Sequence, residues 1–137
     1  MDSIRVVDYF YVMTAHKPGI GAAMLGELRR SGVNLLAFTG FPSGRGAQID
    51  FVPESAQAFR DVAKRAKWKV KGPKRAFLIA GEDRTGVVGE LMTRLAEAKV
   101  NVTAIDALCA GAGRYGAILW VAPRDVKKAS QVLGVVA

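Results

Sequence analysis

The sequence predicts an α+β fold built from two tandem copies of one βαββαβ unit. Two observations support this prediction. A segment near the start of the chain recurs about halfway along it, and the strand, turn and helix patterns follow in the same order in both copies. Half of the 137 residues are hydrophobic and 23% are charged, which is typical of a packed protein and not of a disordered one.

The repeat is clearest in the segment from Gly19 to Asn34, which aligns without gaps on the segment from Gly86 to Asn101. Gly86 lies 67 residues after Gly19, and Asn101 lies 67 residues after Asn34. Few residues are identical, but the apolar positions agree. Val88, Leu91, Met92 and Leu95 follow the spacing of one helix face, and Met24, Leu25 and Leu28 repeat it.

The predicted elements come in the same order in each copy. In the first copy, strands are predicted at residues 6–14, 33–41, 47–52 and 68–71, with helices after Gly19 and at residues 56–66. In the second copy, strands are predicted at residues 76–80, 100–108 and 117–121, with helices after Gly86 and at residues 126–133. Residues 134–137 leave only a stub for a last strand. Gly72 and Pro73 mark the predicted boundary between modules 1–72 and 73–137.

The order βαββαβ indicates a ferredoxin-like module. A module of about 65 residues buries only about 60% of its surface when it folds alone. We therefore expect the two modules to pack side by side into one antiparallel sheet of roughly eight strands with the helices on one face. The strands that start at Val33 and Val100 are expected near the shared boundary.

A polar turn ending in Pro18-Gly19 or Thr85-Gly86, an amphipathic helix, and then a strand start at Asn34 or Asn101 together resemble the ACT domain family. The resemblance covers residues 6–71 and again 75–137. It implies a non-catalytic regulatory module that binds an amino acid or a similar small molecule. In that family the ligand lies between two modules, where the first turn of one faces the start of the second strand of the other.

The resemblance assigns two pseudo-symmetric ligand sites. The candidate binding residues are Asp83, Arg84, Thr85, Gly86 and Val87 with Asn34 and Leu35, and His16, Lys17, Pro18, Gly19 and Ile20 with Asn101 and Val102. The acidic or amide position of the turn is Asp83 in the second copy but His16 in the first. We therefore rank the site that contains Asp83 above the other.

The residues themselves fit such a ligand. A helix that starts at a glycine presents unpaired N–H groups that suit a carboxylate, and Asp83 can accept hydrogen bonds from an ammonium group. The same residues also fit a purely structural role, in which Asp83 caps its helix, the glycines make turns, and Asn34 and Asn101 only start strands.

Other motifs give little support to an enzyme. Gly111, Gly113 and Gly116 satisfy the dinucleotide pattern G-x-G-x-x-G, but a predicted strand and no helix follows them. His16 is the sole histidine, and Cys109 is the sole cysteine, so a disulfide within the chain and a thiolate metal site are both excluded. We expect no catalytic residues, no metal and no cofactor.

The net charge of +8 raises the alternative of a nucleic-acid-associated protein. Residues 60–75 hold eight of the 20 Lys and Arg residues, which can contact phosphates or simply coat a helix and an edge strand. Because only Trp68 is interleaved with them, nucleic acid is the less favoured partner. No signal peptide or membrane segment is visible, so we expect a cytoplasmic protein. We also expect a homodimer, because small modules gain from further contact, and the regulatory role that the resemblance implies suggests a partner enzyme.

Overall fold

The computed structural model describes residues 2–135. The strands are β1 (Ser3–Ala15), β2 (Leu35–Ser43), β3 (Gly46–Pro53), β4 (Lys71–Glu82), β5 (Val102–Gly111) and β6 (Arg114–Val121). The α-helices are α1 (Ile20–Arg30), α2 (Ala56–Arg65), α3 (Val87–Glu97) and α4 (Val126–Leu133), and a single 3-10 turn at Pro123–Asp125 leads into α4. The α+β class and the repeated order of elements are confirmed.

The chain divides into two compact units. One contains residues 8–74, and the other contains residues 2–7 together with residues 75–135. We call them the first and the second unit. The strands β1 and β4 each run through both units, and the strand order is β2-β3-β1-β4-β6-β5. The N-terminal residues of β1 therefore belong with the second copy of the repeat.

The core of the first unit lies on one face of its strands, under α1 and α2. Phe10 and Val12 on β1 and Phe51 on β3 point into it, and Phe59 of α2 stacks on Phe10 with ring centroids 5.0 Å apart. Met24, Leu28, Val33, Ile49, Val62 and Ala63 complete the cluster. Buried aromatic rings dominate this core, and such rings remove more apolar surface from water than any other side chains.

The core of the second unit is mostly aliphatic. It packs α3 and α4 against alternate residues of β4 and β6, including Phe77, Ile79 and Leu119. Ile4 on β1 is buried in the same cluster, with 4% of its surface exposed. The N-terminal residues of β1 therefore take the place of the fourth strand that the second copy lacks at its own C-terminal end.

The first helix of each copy ends in the same way. Gly32 follows α1 with φ 70°, and Lys99 follows α3 with φ 61°, so the chain turns through the left-handed region at the same place in both copies. The N–H groups of Val33 and Val100 then donate to the carbonyls of Leu28 and Leu95 at 2.9 Å. These bonds satisfy carbonyls that the helix ends leave free.

The expected eight-stranded sheet is wrong, because residues 2–135 form a sheet of six strands. Residues 68–70, predicted as a strand, lie outside any strand; Lys71 and the strand predicted at residues 76–80 belong to one strand, β4, which continues through Gly72 and Pro73. Pairing with β6 begins only at Phe77, so the missing N–H of Pro73 interrupts no hydrogen bond to that strand. No strand follows α4 up to residue 135; the rest of the stub predicted at 134–137 lies outside the described residues.

The expected position of the second strand of each copy is also wrong. The strands β2 and β5, which follow Val33 and Val100, stand at the two ends of the strand order. The two central positions of the strand order are occupied by β1 and β4, because each of these long strands has residues in both units.

The N-terminal residues of β1 should be essential to the second unit. Ile4→Ala should lower the free energy of unfolding by about 2–5 kcal/mol, because it removes a buried aliphatic side chain and leaves a cavity. Urea unfolding followed by tryptophan fluorescence measures this loss. The exposed neighbour Ser3 gives the control, since Ser3→Ala should change stability by less than about 0.5 kcal/mol. Equal effects of the two variants would contradict the assignment of this strand.

Candidate functional site

The turn between β4 and α3 lines an open depression of about 480 Å³ in the second unit. Its lining consists of Asp83, Arg84, Thr85, Gly86, Val87, Val88 and Gly89. All five turn residues of the higher-ranked predicted site are therefore brought together. Val88 and Gly89 were not predicted; only their position in the first turn of the helix could have indicated them.

The amino end of α3 is open towards a ligand. Gly86 precedes the helix with φ 80°, and within residues 2–135 no side chain caps the helix. The N–H of Val87 donates to the carbonyl of Arg84 at 3.2 Å, whereas the amides of Val88 and Gly89 have no acceptor among the described residues. Unpaired amides at a helix start favour an anionic group.

The guanidinium of Arg84 is paired with a carboxylate of the following helix. Its guanidinium donates to both carboxylate oxygens of Glu90 at 2.7 Å. These hydrogen bonds hold the pKa of the Glu90 carboxyl below its ordinary value. Since the pair is exposed, it contributes little to stability, but its two-pronged geometry fixes the side chain of Arg84 beside the turn.

Asp83 is fixed by its backbone and exposed at its side chain. Its N–H donates to the carbonyl of Gly113 at 2.9 Å, which ties the turn to the loop between β5 and β6. The Asp83 carboxylate, through a hydrogen bond and its negative charge, raises the pKa of the thiol of Cys109. The sequence did not connect Cys109 with this site either, because Cys109 lies 26 positions further along the chain than Asp83.

A second depression, of about 440 Å³, lies in the first unit between the end of α1 and the start of β2. It is lined by Leu25, Leu28, Arg29, Gly32, Val33, Asn34 and Leu35. The predicted Asn34 and Leu35 are therefore on its surface. The amide of Asn34 donates to the carboxylate of Glu54 at 3.1 Å, a partner that was not foreseen.

The residues of the lower-ranked site are also on the surface. His16, Lys17, Pro18 and Gly19 are exposed in the turn before α1, and Gly19 starts that helix with φ 90°. Asn101 is exposed and Val102 half-buried at the start of β5. This turn has the backbone of the other one, but it offers an imidazole and an ammonium group where the other offers a carboxylate.

Neither a metal site nor a membrane helix is found in the described part of the chain. No three His, Cys, Asp or Glu side chains between residues 2 and 135 are grouped so that they could hold a metal ion. No helix in the same range is both long enough and apolar enough to cross a bilayer.

Comparison with known proteins shows the fold. Protein BT0572 from Bacteroides thetaiotaomicron is similar with a TM-score of 0.82 and 14% identity, over 96% of this chain and 88% of that one. The ligand-free regulatory subunit of aspartate kinase from Thermus thermophilus has a TM-score of 0.65 and 15% identity, over 97% and 94%. Aspartokinase III from E. coli, in complex with lysine and aspartate, has a TM-score of 0.57 and 17% identity, over 96% and 31%. No family model and no curated protein matches the sequence.

The chain has the fold of aspartate kinase regulatory domains. The fold implied by the resemblance to ACT domains is therefore confirmed. At these identities the likeness establishes the fold and no ligand.

The two glycines of the α3 start should respond oppositely to a methyl group. Gly86→Ala should lower the free energy of unfolding by about 1–2 kcal/mol, because alanine is strained at φ 80°. Gly89→Ala should raise it by about 0.5–1 kcal/mol, because Gly89 is exposed within the helix and its Cβ meets nothing within 4 Å. Thermal and urea unfolding measure both changes, and a stabilising Gly86→Ala would contradict the left-handed helix start.

The contact between Asp83 and Cys109 should be visible in the reactivity of the thiol. Because Asp83 raises the pKa of Cys109, its removal lowers that pKa and increases the thiolate fraction at pH values below it. Asp83→Asn should therefore make alkylation by iodoacetamide at about pH 8 faster. The control Asp106→Asn removes an exposed carboxylate from β5, the strand that carries Cys109, and should leave the alkylation rate unchanged. A slower reaction in Asp83→Asn would contradict this arrangement.

Proposed function

We propose that this protein is a non-catalytic regulatory protein that binds an amino acid at the turn Asp83–Val87. The observation that carries the proposal is the combination of two opposite binding elements in one depression. The uncapped amides of Val88 and Gly89 suit the α-carboxylate of the ligand, and the exposed carboxylate of Asp83 suits its ammonium group. Between them stands Gly86, without a Cβ to block the approach to the backbone.

We propose that Asn34 and Leu35 of the first unit also take part in ligand binding. Both residues line a depression, as the ligand-binding role requires. The side chain of Asn34 keeps its carbonyl oxygen as an acceptor while its amide donates to Glu54. The site at His16–Ile20 with Asn101 and Val102 is proposed as weaker or empty, because its turn lacks a carboxylate.

The comparisons support this proposal through the fold that regulatory domains of aspartate kinase share. One of the similar structures is an aspartokinase in complex with lysine and aspartate, which makes these two amino acids the first ligands to test. We further propose that the chain acts as a homodimer in the cytoplasm and passes its ligand state to a partner enzyme. The alternative of a nucleic-acid-associated protein concerns a different surface, residues 60–75.

A thermal-shift screen against the twenty amino acids tests whether a ligand exists. A ligand at 100 times its dissociation constant should stabilise the protein by about 2.7 kcal/mol, enough to raise the melting temperature of a small protein by several degrees. Calorimetry then compares variants with the ligand that the screen finds. Asp83→Ala should weaken binding about ten-fold or more, because a charge-assisted hydrogen bond is lost.

Two further variants test whether the loss of affinity is specific to the turn Asp83–Val87. Asp106→Ala removes the same charge from the exposed face of β5 and should leave the affinity unchanged. Gly86→Val should abolish binding, since its side chain blocks the amides and its backbone is strained at φ 80°. If none of the amino acids raises the melting temperature, the proposed function is wrong. If a ligand binds Asp83→Ala as well as the unaltered protein, its site lies elsewhere.

A further inference from the structure

Eight of the 20 Lys and Arg residues lie between positions 60 and 75. We call this segment the basic stretch; it comprises Arg60, Lys64, Arg65, Lys67, Lys69, Lys71, Lys74 and Arg75, of which all but Arg75 belong to the first unit. All eight side chains are exposed, and the only acid among residues 60–75 is Asp61. Such a one-sided field attracts an extended polyanion more than a small ligand.

The structure brings an aromatic ring to this charge. The ammonium groups of Lys71 and Lys74 lie 6.0 Å and 5.2 Å from the ring centroid of Tyr11. Tyr11 is on β1, about sixty residues away in sequence, so the spacing of aromatics along the basic stretch itself could not show the contact. Tyr11 and the two lysines belong to the same unit.

The surface around Tyr11 is the face of the strands opposite α1 and α2. Phe10 and Val12 point into the core under the helices, so Tyr11 and Met13, which alternate with them, point the other way. Met13 is 47% exposed, and Phe41 on β2 is 45% exposed. Met13 and Phe41 both pair with Gln48 of β3, one from each side, so the three side chains form a row across this face.

The one carboxylate on this face is already engaged. Asp50, which pairs with Tyr11, is only 5% exposed and accepts hydrogen bonds from Thr39 at 3.0 Å and from Gln48 at 2.9 Å. Two donors therefore hold this buried carboxylate, whereas the side chains of Lys71 and Lys74 are exposed and lie near the ring of Tyr11. The net character of the face is cationic and aromatic.

We propose that this face of the first unit binds single-stranded nucleic acid. An unpaired base stacks on Tyr11, and the neighbouring phosphates contact Lys71 and Lys74, whose flexible stems let the ammonium groups move from the ring to the backbone. A duplex presents no free base to the ring, and an acidic peptide presents no planar group that stacks on it. A single strand is the polyanion that uses both parts of the surface.

Fluorescence anisotropy of a labelled uridine oligonucleotide of about ten residues tests the proposal. Lys71→Ala with Lys74→Ala should weaken binding about ten-fold and reduce the slope of log K against log salt by roughly 1.4, since each phosphate contact on a single strand contributes about 0.7. The matched control is Lys127→Ala with Lys128→Ala, which removes two exposed lysines from α4 of the second unit. It should leave both the affinity and the slope nearly unchanged.

The stacking step has its own pair of variants. Tyr11→Ala should weaken binding about ten-fold, whereas Tyr11→Phe keeps the ring and should bind within about two-fold of the unaltered protein. Circular dichroism and the melting temperature show whether each variant is folded; the lysine variants decide the question if Tyr11→Ala is not.

Three outcomes would overturn the proposal: no binding of the oligonucleotide, an equal loss in the two double-lysine variants, or displacement by poly-glutamate as readily as by RNA. The last would indicate an acidic protein partner. Failure of this test leaves the amino-acid proposal untouched, because the two surfaces share no residue.

Discussion

The structure depends on the completion of two small cores by strands that belong to both. A unit of about 65 residues buries too little surface to be securely stable alone. Here β1 places Ile4 in the aliphatic core of the second unit and Phe10 in the aromatic core of the first. Asp8, which is exposed, stands where the strand passes from one unit to the other. The first residues of the chain therefore matter for the stability of residues that lie more than seventy positions away.

The proposed ligand site follows from the conformation of the turns that connect the strands to the helices. At Gly86 the chain needs a left-handed residue between β4 and α3, and at Gly19 it needs one between β1 and α1. A glycine in that position leaves the following helix without a side-chain cap, so the first amides stay available to a ligand. The same backbone conformation that links strand to helix thus leaves an uncapped helix start in each copy, which is the feature on which the proposed ligand site rests.

Much of this could be predicted from the sequence, because the repeat makes each element visible twice. The four helices and the turns at Gly19 and Gly86 follow from local patterns, whereas the positive φ of Lys99 does not, because lysine rarely adopts that conformation. The number of strands could not be predicted from local patterns. Nothing local to Gly72-Pro73 shows that a strand continues through it, and nothing near the C-terminus shows that residues 2–7 replace the missing strand. Partners distant in sequence, such as Cys109 for Asp83 and Glu54 for Asn34, escape local patterns for the same reason.

The two copies have diverged in charge more than in backbone. In the second, Asp83 stands in the turn and Glu90 in the first helical turn, where Glu90 binds Arg84 and the exposed Asp83 carboxylate lines the depression. In the first, the equivalent positions hold His16 and Ala23, so Lys17 has no such acidic partner in α1. The turn before α3 therefore offers a carboxylate that the turn before α1 lacks. Both helices start at a left-handed glycine, so the proposed difference between the two sites rests on their side chains and not on the helix starts.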